Sequence, residues 1–129
     1  MALVINDRVK ENSTTSGTGN ITLAGVAAGQ GNVTFNSGIG TSNTTYYCIF
    51  EQGTNTFEIG LGTLSGSTTL ERTTVINNSS GNTSKISFTG GTLDVFCTMP
   101  AAKTVYLDAT GNQVGAASAG FALAMAVAL

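Results

Sequence analysis

Few residues of this chain have side chains suited to chemistry, and they fall into three groups. The first is a pair of carboxylates, Glu51 and Glu58, flanking the turn formers Gln52-Gly53-Thr54-Asn55. Two carboxyl groups held near each other are what glycoside hydrolysis asks of its general acid and of its base or nucleophile. That work also needs a shared pocket to tune their proton affinities. A pair beside a turn is expected to be exposed, and the chain has no histidine and no tryptophan, so the residues argue against catalysis. The second group is Cys48 and Cys97, each inside an apolar run. They read as two small hydrophobes of a reduced core, or as one disulfide if their strands are neighbours. Without His or a C-x-x-C element they do not read as metal ligands.

The third group is the cluster Asp7-Arg8-Val9-Lys10-Glu11. Charged residues are 9% of the chain, against about 25% in an ordinary soluble domain, so four charges in five positions stand out. The cluster reads as a solvated face or short helical turn, or as a docking arm that forms ion pairs with another protein. On the second reading Asp7, Arg8, Lys10 and Glu11 are the candidate partner contacts. Other motifs carry less. The Asn-x-Ser/Thr triplets at Asn20, Asn32, Asn43 and Asn82 are expected by chance in a chain this rich in Asn, Ser and Thr. Carboxylates are too sparse for a calcium cage, and no glycine run leads from a strand into a helix to cradle phosphate. No catalytic residue, cofactor or metal is therefore expected.

The element that organises these residues is a β-hairpin over Thr44 to Thr63. Tyr46, Cys48 and Phe50 alternate with Tyr47, Ile49 and Glu51, the period of two that defines an extended strand. After the turn, Phe57, Ile59 and Leu61 share one face, and Glu58, Gly60 and Gly62 share the other. A row of glycines leaves room for another backbone or a bulky side chain. Further strands are expected at Ile21 to Ala24, Val33 to Phe35, Thr68 to Ile76, Ser84 to Phe88, Thr92 to Met99 and Lys103 to Asp108, with Thr89-Gly90-Gly91 as a tight hairpin and Pro100 closing a run. About eight short antiparallel strands without an amphipathic helix predict an all-β domain, a β-sandwich of jelly-roll type. The expected organisation is an N-terminal arm and Ser/Thr/Gly tract over 1–20, the sandwich over 21–108, and an apolar segment over 109–129.

At 129 residues the chain suits one domain. Its net charge of −2 and pI near 4.7 argue against nucleic acid. No secretory signal is visible, because Asp7, Arg8, Lys10 and Glu11 interrupt the place of an apolar core. The sparse charge and the glycine-lined hairpin face suggest a surface covered by other subunits, hence a homo-oligomer. In the segment Phe121 to Leu129, large apolar side chains alternate with alanine. As a strand it collects Phe121, Leu123, Met125, Val127 and Leu129 on one face, the candidate oligomer interface, whereas a helix scatters them. It does not read as a membrane span: from Val114 onward a helix would cover about 24 Å, short of the roughly 30 Å hydrocarbon core.

Taken in order, several segments resemble a domain found in virion proteins of tailed bacteriophages. They are Asp7 to Glu11, Thr14 to Gly19, Ile21 to Gly25, Thr44 to Ile49, Phe57 to Thr63, Leu70 to Val75 and Ser87 to Phe96, spread over most of residues 7 to 108. The resemblance implies a structural role in the particle and no enzymatic activity. It implies a capsid decoration (cement) protein, a trimer on the outer shell that touches the major capsid protein, made in the host cytoplasm and located in the virion. The alternative is a tail-fibre, tail-adaptor or receptor-binding component, which the short chain beyond the domain makes less expected. Cys48 and Cys97 stand where the resemblance leads one to expect Val, Thr or Ile.

Overall fold

Antiparallel strands dominate the computed structural model, which describes residues 1–115 and 126–127. Contacts divide the chain into two units, Met1–Met99 and Pro100–Leu129. The first holds strands β1 (Lys10–Ser13), β2 (Ser16–Gly17), β3 (Ile21–Thr22), β4 (Thr44–Glu51), β5 (Phe57–Gly66), β6 (Thr69–Asn78), β7 (Phe88–Thr89) and β8 (Leu93–Cys97), with one helical turn, α1 (Phe35–Gly38). The second holds a 3-10 turn, Ala101–Lys103, and a ribbon of β9 (Tyr106–Leu107) and β10 (Gln113–Val114).

Six strands form one sheet in the order β1-β8-β4-β5-β6-β3. Beyond β3 the chain returns to β1: the amide of Ala24 donates to the carbonyl of Asn12 at 2.8 Å, and the amide of Asn12 donates to Gly25 at 2.9 Å. These bonds bring the two edges together, so the sheet curls nearly into a barrel and few ladder groups of its edges stay unpaired. The all-β, antiparallel expectation holds. Three local expectations do not. Val33 makes only an isolated bridge to Val9, and Phe35 starts α1 instead of ending a strand. Thr34 caps that turn by accepting from the amide of Ser37 at 3.1 Å. The Thr89-Gly90-Gly91 stretch does not close a hairpin either: β7 pairs with β2, while β8 lies between β1 and β4. The expected 1–20 arm includes β1, which is an integral strand of the sheet.

Inside the curl lie Val9, Ile21, Leu23, Phe35, Ile39, Tyr47, Ile49, Leu64, Leu70, Phe88, Leu93 and Val95. The hairpin faces inward with its Tyr47, Ile49 and Glu58 side, and its glycines have a definite use. Tyr47 lies opposite Gly60 in the ladder. A Cβ on Gly60 would stand 2.5 Å from the Tyr47 hydroxyl and 2.6 Å from the Thr74 carbonyl, and one on Gly62 would be 2.9 Å from the Tyr47 ring. The bulky side chain that the glycine row admits is therefore Tyr47 of the same hairpin. The register between β5 and β6 slips at three points, Ile59/Gly60, Leu61/Gly62 and Leu64/Gly66. Such bulges bend and coil a strand pair, which a closing sheet needs.

Candidate functional site

Glu58 and Arg72 sit inside the curl with side chains wholly removed from solvent. The Glu58 carboxylate accepts from the Tyr47 hydroxyl at 2.7 Å, from Arg72 Nε at 2.8 Å, from Arg72 Nη2 and from the amide of Ile86 at 2.7 Å. The rest of the guanidinium donates to the carbonyls of Gly17, Gly19 and Ile86, and its plane lies 5.2 Å from the centre of the Phe88 ring. Every donor of the fork that can be traced is thus spent on the protein. Among the described residues no buried side-chain nitrogen or oxygen lacks a partner. Burial first, then the charge and hydrogen bond of Glu58, push the Tyr47 phenol well above its ordinary value of 10.0. This phenol is held as a neutral donor.

Glu51 occupies the end of β4 and is also buried. It accepts from the hydroxyl and, at 3.1 Å, the amide of Thr89. Those bonds, the hydroxyl first, hold its carboxyl below the usual carboxylate range, with a contribution from the Gly91 amide and against a smaller effect of burial. The expectation that Glu51 and Glu58 are exposed beside the turn is therefore wrong. Their residue types turned the reading outward, but alternation places both on the inner face with Tyr47 and Ile49. Glu58 is committed to Arg72 and Tyr47, and Glu51 to the β7 strand, so the two do not form an open acid/base pair. Among the described residues no group of three His, Cys, Asp or Glu side chains is placed to hold a metal.

The charged cluster near the amino end is split by the fold. Asp7 and Arg8 are exposed. Arg8 adopts φ of 60°, a left-handed conformation costly for a long side chain, and its guanidinium donates to the carbonyl of Gln30. Lys10 is half-buried, 3.6 Å from Asp94 on the neighbouring strand. Glu11, by contrast, is 2% exposed and accepts from the amides of Gly25 at 3.1 Å and Phe35 at 2.8 Å. It ties the chain after β3 and the start of α1 to β1. Glu11 must be removed from the candidate contacts, because a carboxylate satisfied inside the fold cannot reach a partner. Asp7, Arg8 and Lys10 remain, and the two cations, with Val9, Asn32, Phe96 and Cys97, line an open hollow of about 340 Å³.

Outside the sheet, the hairpin presents Tyr46 beside Leu61, Cys48 beside Ile59 and Phe50 beside Phe57. All six are half-buried on the outer face. Phe96 of β8 continues the row, since it pairs with Cys48 and with Lys10. This apolar outer face went unrecognised as a surface in the sequence because the opposite, glycine-lined face was expected to be the one that meets other subunits. The expected interface, the glycine row, is filled from within and is not available to another chain. Cys48 points out and Cys97 packs partly against the core, next to the Thr45 hydroxyl at 3.4 Å. The two thiols are free, and although their strands are neighbours they lie on opposite faces. Burial pushes the Cys48 thiol up to about 11.

Of the carboxyl-terminal candidates, Phe121, Leu123, Met125 and Leu129 lie outside the described residues. Ala126 and Val127 are described with helical backbone, and Val127 is exposed. In the second unit Asp108 closes the β9–β10 turn by accepting from the amides of Thr110 and Asn112, both at 2.9 Å. Among the described residues no helix is long and apolar enough to cross a membrane. Comparison of the chain with protein-family models, with curated proteins and with solved structures found no match.

Proposed function

We propose that this protein is a structural component of a tailed-bacteriophage particle, a decoration (cement) protein that binds the outer surface of the capsid and braces the shell. The observation that carries the reading is the ordered series of segments between residues 7 and 108 that resembles virion domains of such phages. Two features of the molecule are compatible with it. Its buried carboxylates, Glu11, Glu51 and Glu58, are spent on holding the fold together, and among its open surfaces are the Arg8/Lys10 hollow and the half-buried apolar outer face of the hairpin. Such surfaces suit contact with other proteins, with Arg8 and Lys10 as the contacts to the shell and a homo-oligomer as the bound form. On this reading the protein is made in the host cytoplasm and resides in the virion.

The test is copy number and attachment. Purified particles are resolved on a gel and the 13.0 kDa band is scaled to the major capsid protein. A cement protein is present in hundreds of copies, whereas a dozen or so would place the chain in the tail and reject the capsid reading. Absence from purified particles rejects the virion reading altogether.

A further inference from the structure

We infer that the hollow between Arg8 and Lys10 is a carboxylate site, which takes an aspartate or glutamate side chain of the protein that this rim contacts. The inference rests on the reading that the rim meets another protein, and it names the chemistry recognised there. Three segments build the hollow. In the β1–β8 ladder Lys10 stands opposite Phe96, and the amide of Cys97 donates to the carbonyl of Val9 at 3.0 Å. From a third segment, the amide of Val33 donates to the Arg8 carbonyl at 2.9 Å, and its carbonyl accepts from the Lys10 amide at 3.1 Å. Residues 8–10 are therefore held by two neighbouring segments, with Asn32 beside them.

Those bonds fix Arg8 at φ of 60°. A left-handed backbone is unfavourable for a residue with a Cβ, and such positions gather at binding sites, where the surrounding structure enforces them. Glycine would meet the same backbone demand without strain, so what arginine adds here is its side chain. One corner of the guanidinium, Nη2, donates to the Gln30 carbonyl. Its Nε and Nη1 donors have no acceptor among the described residues. The charges then select the ligand. Lys10 lies 3.6 Å from Asp94, which offsets its charge, whereas Arg8 has no ion-pair partner among the described residues and no carboxylate lines the hollow. One unbalanced positive charge on a planar fork matches a planar monoanion, a carboxylate. A phosphate dianion asks for more positive charge than the hollow presents. The rest of the lining, Val9, Phe96 and Cys97, is apolar and suits the stem of the acidic residue or an apolar neighbour. The volume of about 340 Å³ falls among small-ligand sites, about 300–1,000 Å³.

The test follows the amide signals of the isotope-labelled full chain by NMR during titration with a blocked tetrapeptide, glycine-glutamate-leucine-glycine, and with its glutamine and phosphoserine counterparts. The expected result is saturable shifts confined to residues 8–10, 32–33 and 96–97 with the glutamate peptide. The glutamine peptide should bind about tenfold more weakly, as loss of a charge-assisted pair predicts. Arg8→Gly removes the fork and relaxes the backbone, so it should abolish the difference between the two peptides and leave the melting temperature nearly unchanged. If Arg8→Gly does not fold, judged by circular dichroism, Arg8→Gln takes its place under the same criterion for the peptides. Equal binding of the glutamate and glutamine peptides, glutamate selectivity that survives loss of Arg8, or tighter binding of the phosphoserine peptide would each overturn the inference. The gel of purified particles judges the underlying reading separately. A chain absent from particles rejects the virion reading and leaves a demonstrated carboxylate site standing, and a chain present in hundreds of copies does not rescue a site that fails the titration.

Discussion

At the scale of single residues, the interior is set by a few positions that admit little substitution. Gly60 is one, because a methyl group there meets the Tyr47 hydroxyl at 2.5 Å and a carbonyl at 2.6 Å. Gly60→Ala is expected to lower stability by about 1–3 kcal/mol, the range for overpacking a tight core, and thermal denaturation followed by circular dichroism checks it. Arg72 is another. Removing it as Arg72→Met leaves Glu58 buried with its charge uncompensated, a loss of about 3–5 kcal/mol. The double variant Arg72→Met, Glu58→Leu should recover part of that loss, since no orphaned charge is left behind. A double variant no more stable than Arg72→Met would show that the pair contributes through the guanidinium bonds to Gly17, Gly19 and Ile86 instead. Glu51 gives the pH dependence. Its carboxyl is held below its ordinary value by the Thr89 hydroxyl and the Thr89 and Gly91 amides, so the folded state binds its proton less readily than the unfolded chain. Its contribution is complete above the unfolded value of about 4.5 and is lost as pH falls through the lower folded value. Glu51→Gln should therefore flatten the acid limb of a stability-against-pH curve and leave its slope near neutrality unchanged. Tyr47 has the opposite sign: its raised value means that stability is lost as pH rises beyond 10.0, its ordinary value.

At the scale of elements, closure is the event on which the first unit depends. The β1 strand is short, but it is joined on one side to β8 and on the other to Ala24 and Gly25. Glu11 fastens the same junction from inside by accepting the Gly25 and Phe35 amides. Replacing Glu11 with Ala leaves those two amides without their acceptor and is expected to cost about 2–4 kcal/mol, at about 1–2 kcal/mol for each orphaned group. The loss should appear in hydrogen exchange as faster exchange of amides in residues 21–35 and in β1, with the β4–β5 hairpin less affected. Uniform acceleration over the whole sheet would mean that closure and hairpin open as one unit. The bulges between β5 and β6 belong to the same account. They let Leu70 and Arg72 point inward and then shift the inward set to Val75 and Asn78, which is how the strand follows the curl.

At the scale of the whole molecule, the surface left over after folding decides what the protein can meet. Arg8 and Lys10 form a small basic rim, while Glu11 has gone inside. Replacing both cations with alanine should change the melting temperature little, because an ion pair as exposed as Lys10 with Asp94 contributes about 0–1 kcal/mol. On the proposed function it should also reduce incorporation into particles, measured by band intensity relative to the major capsid protein. A large fall in melting temperature with normal incorporation would make the rim a structural element.

The sequence alone determined what depends on neighbours along the chain. The alternation of Thr44 to Glu51, the turn at Gln52 to Asn55, the glycine row and the strand near Thr69 are local, and they are legible because side chains on an extended backbone alternate faces whatever the fold. The stop at Pro100 follows from a ring that donates no hydrogen bond. What the tertiary structure decided is which face became the inside. Both sides of the hairpin are rich in apolar residues, so periodicity could not rank them, and the two glutamates pointed the reading outward. Only the return of β6 brings Arg72 to Glu58, and only closure against Gly25 and Phe35 buries Glu11. Pairings between β2 and β7 or β1 and β8 join residues more than seventy positions apart. No local pattern encodes such pairings, because their stability comes from the core they enclose together.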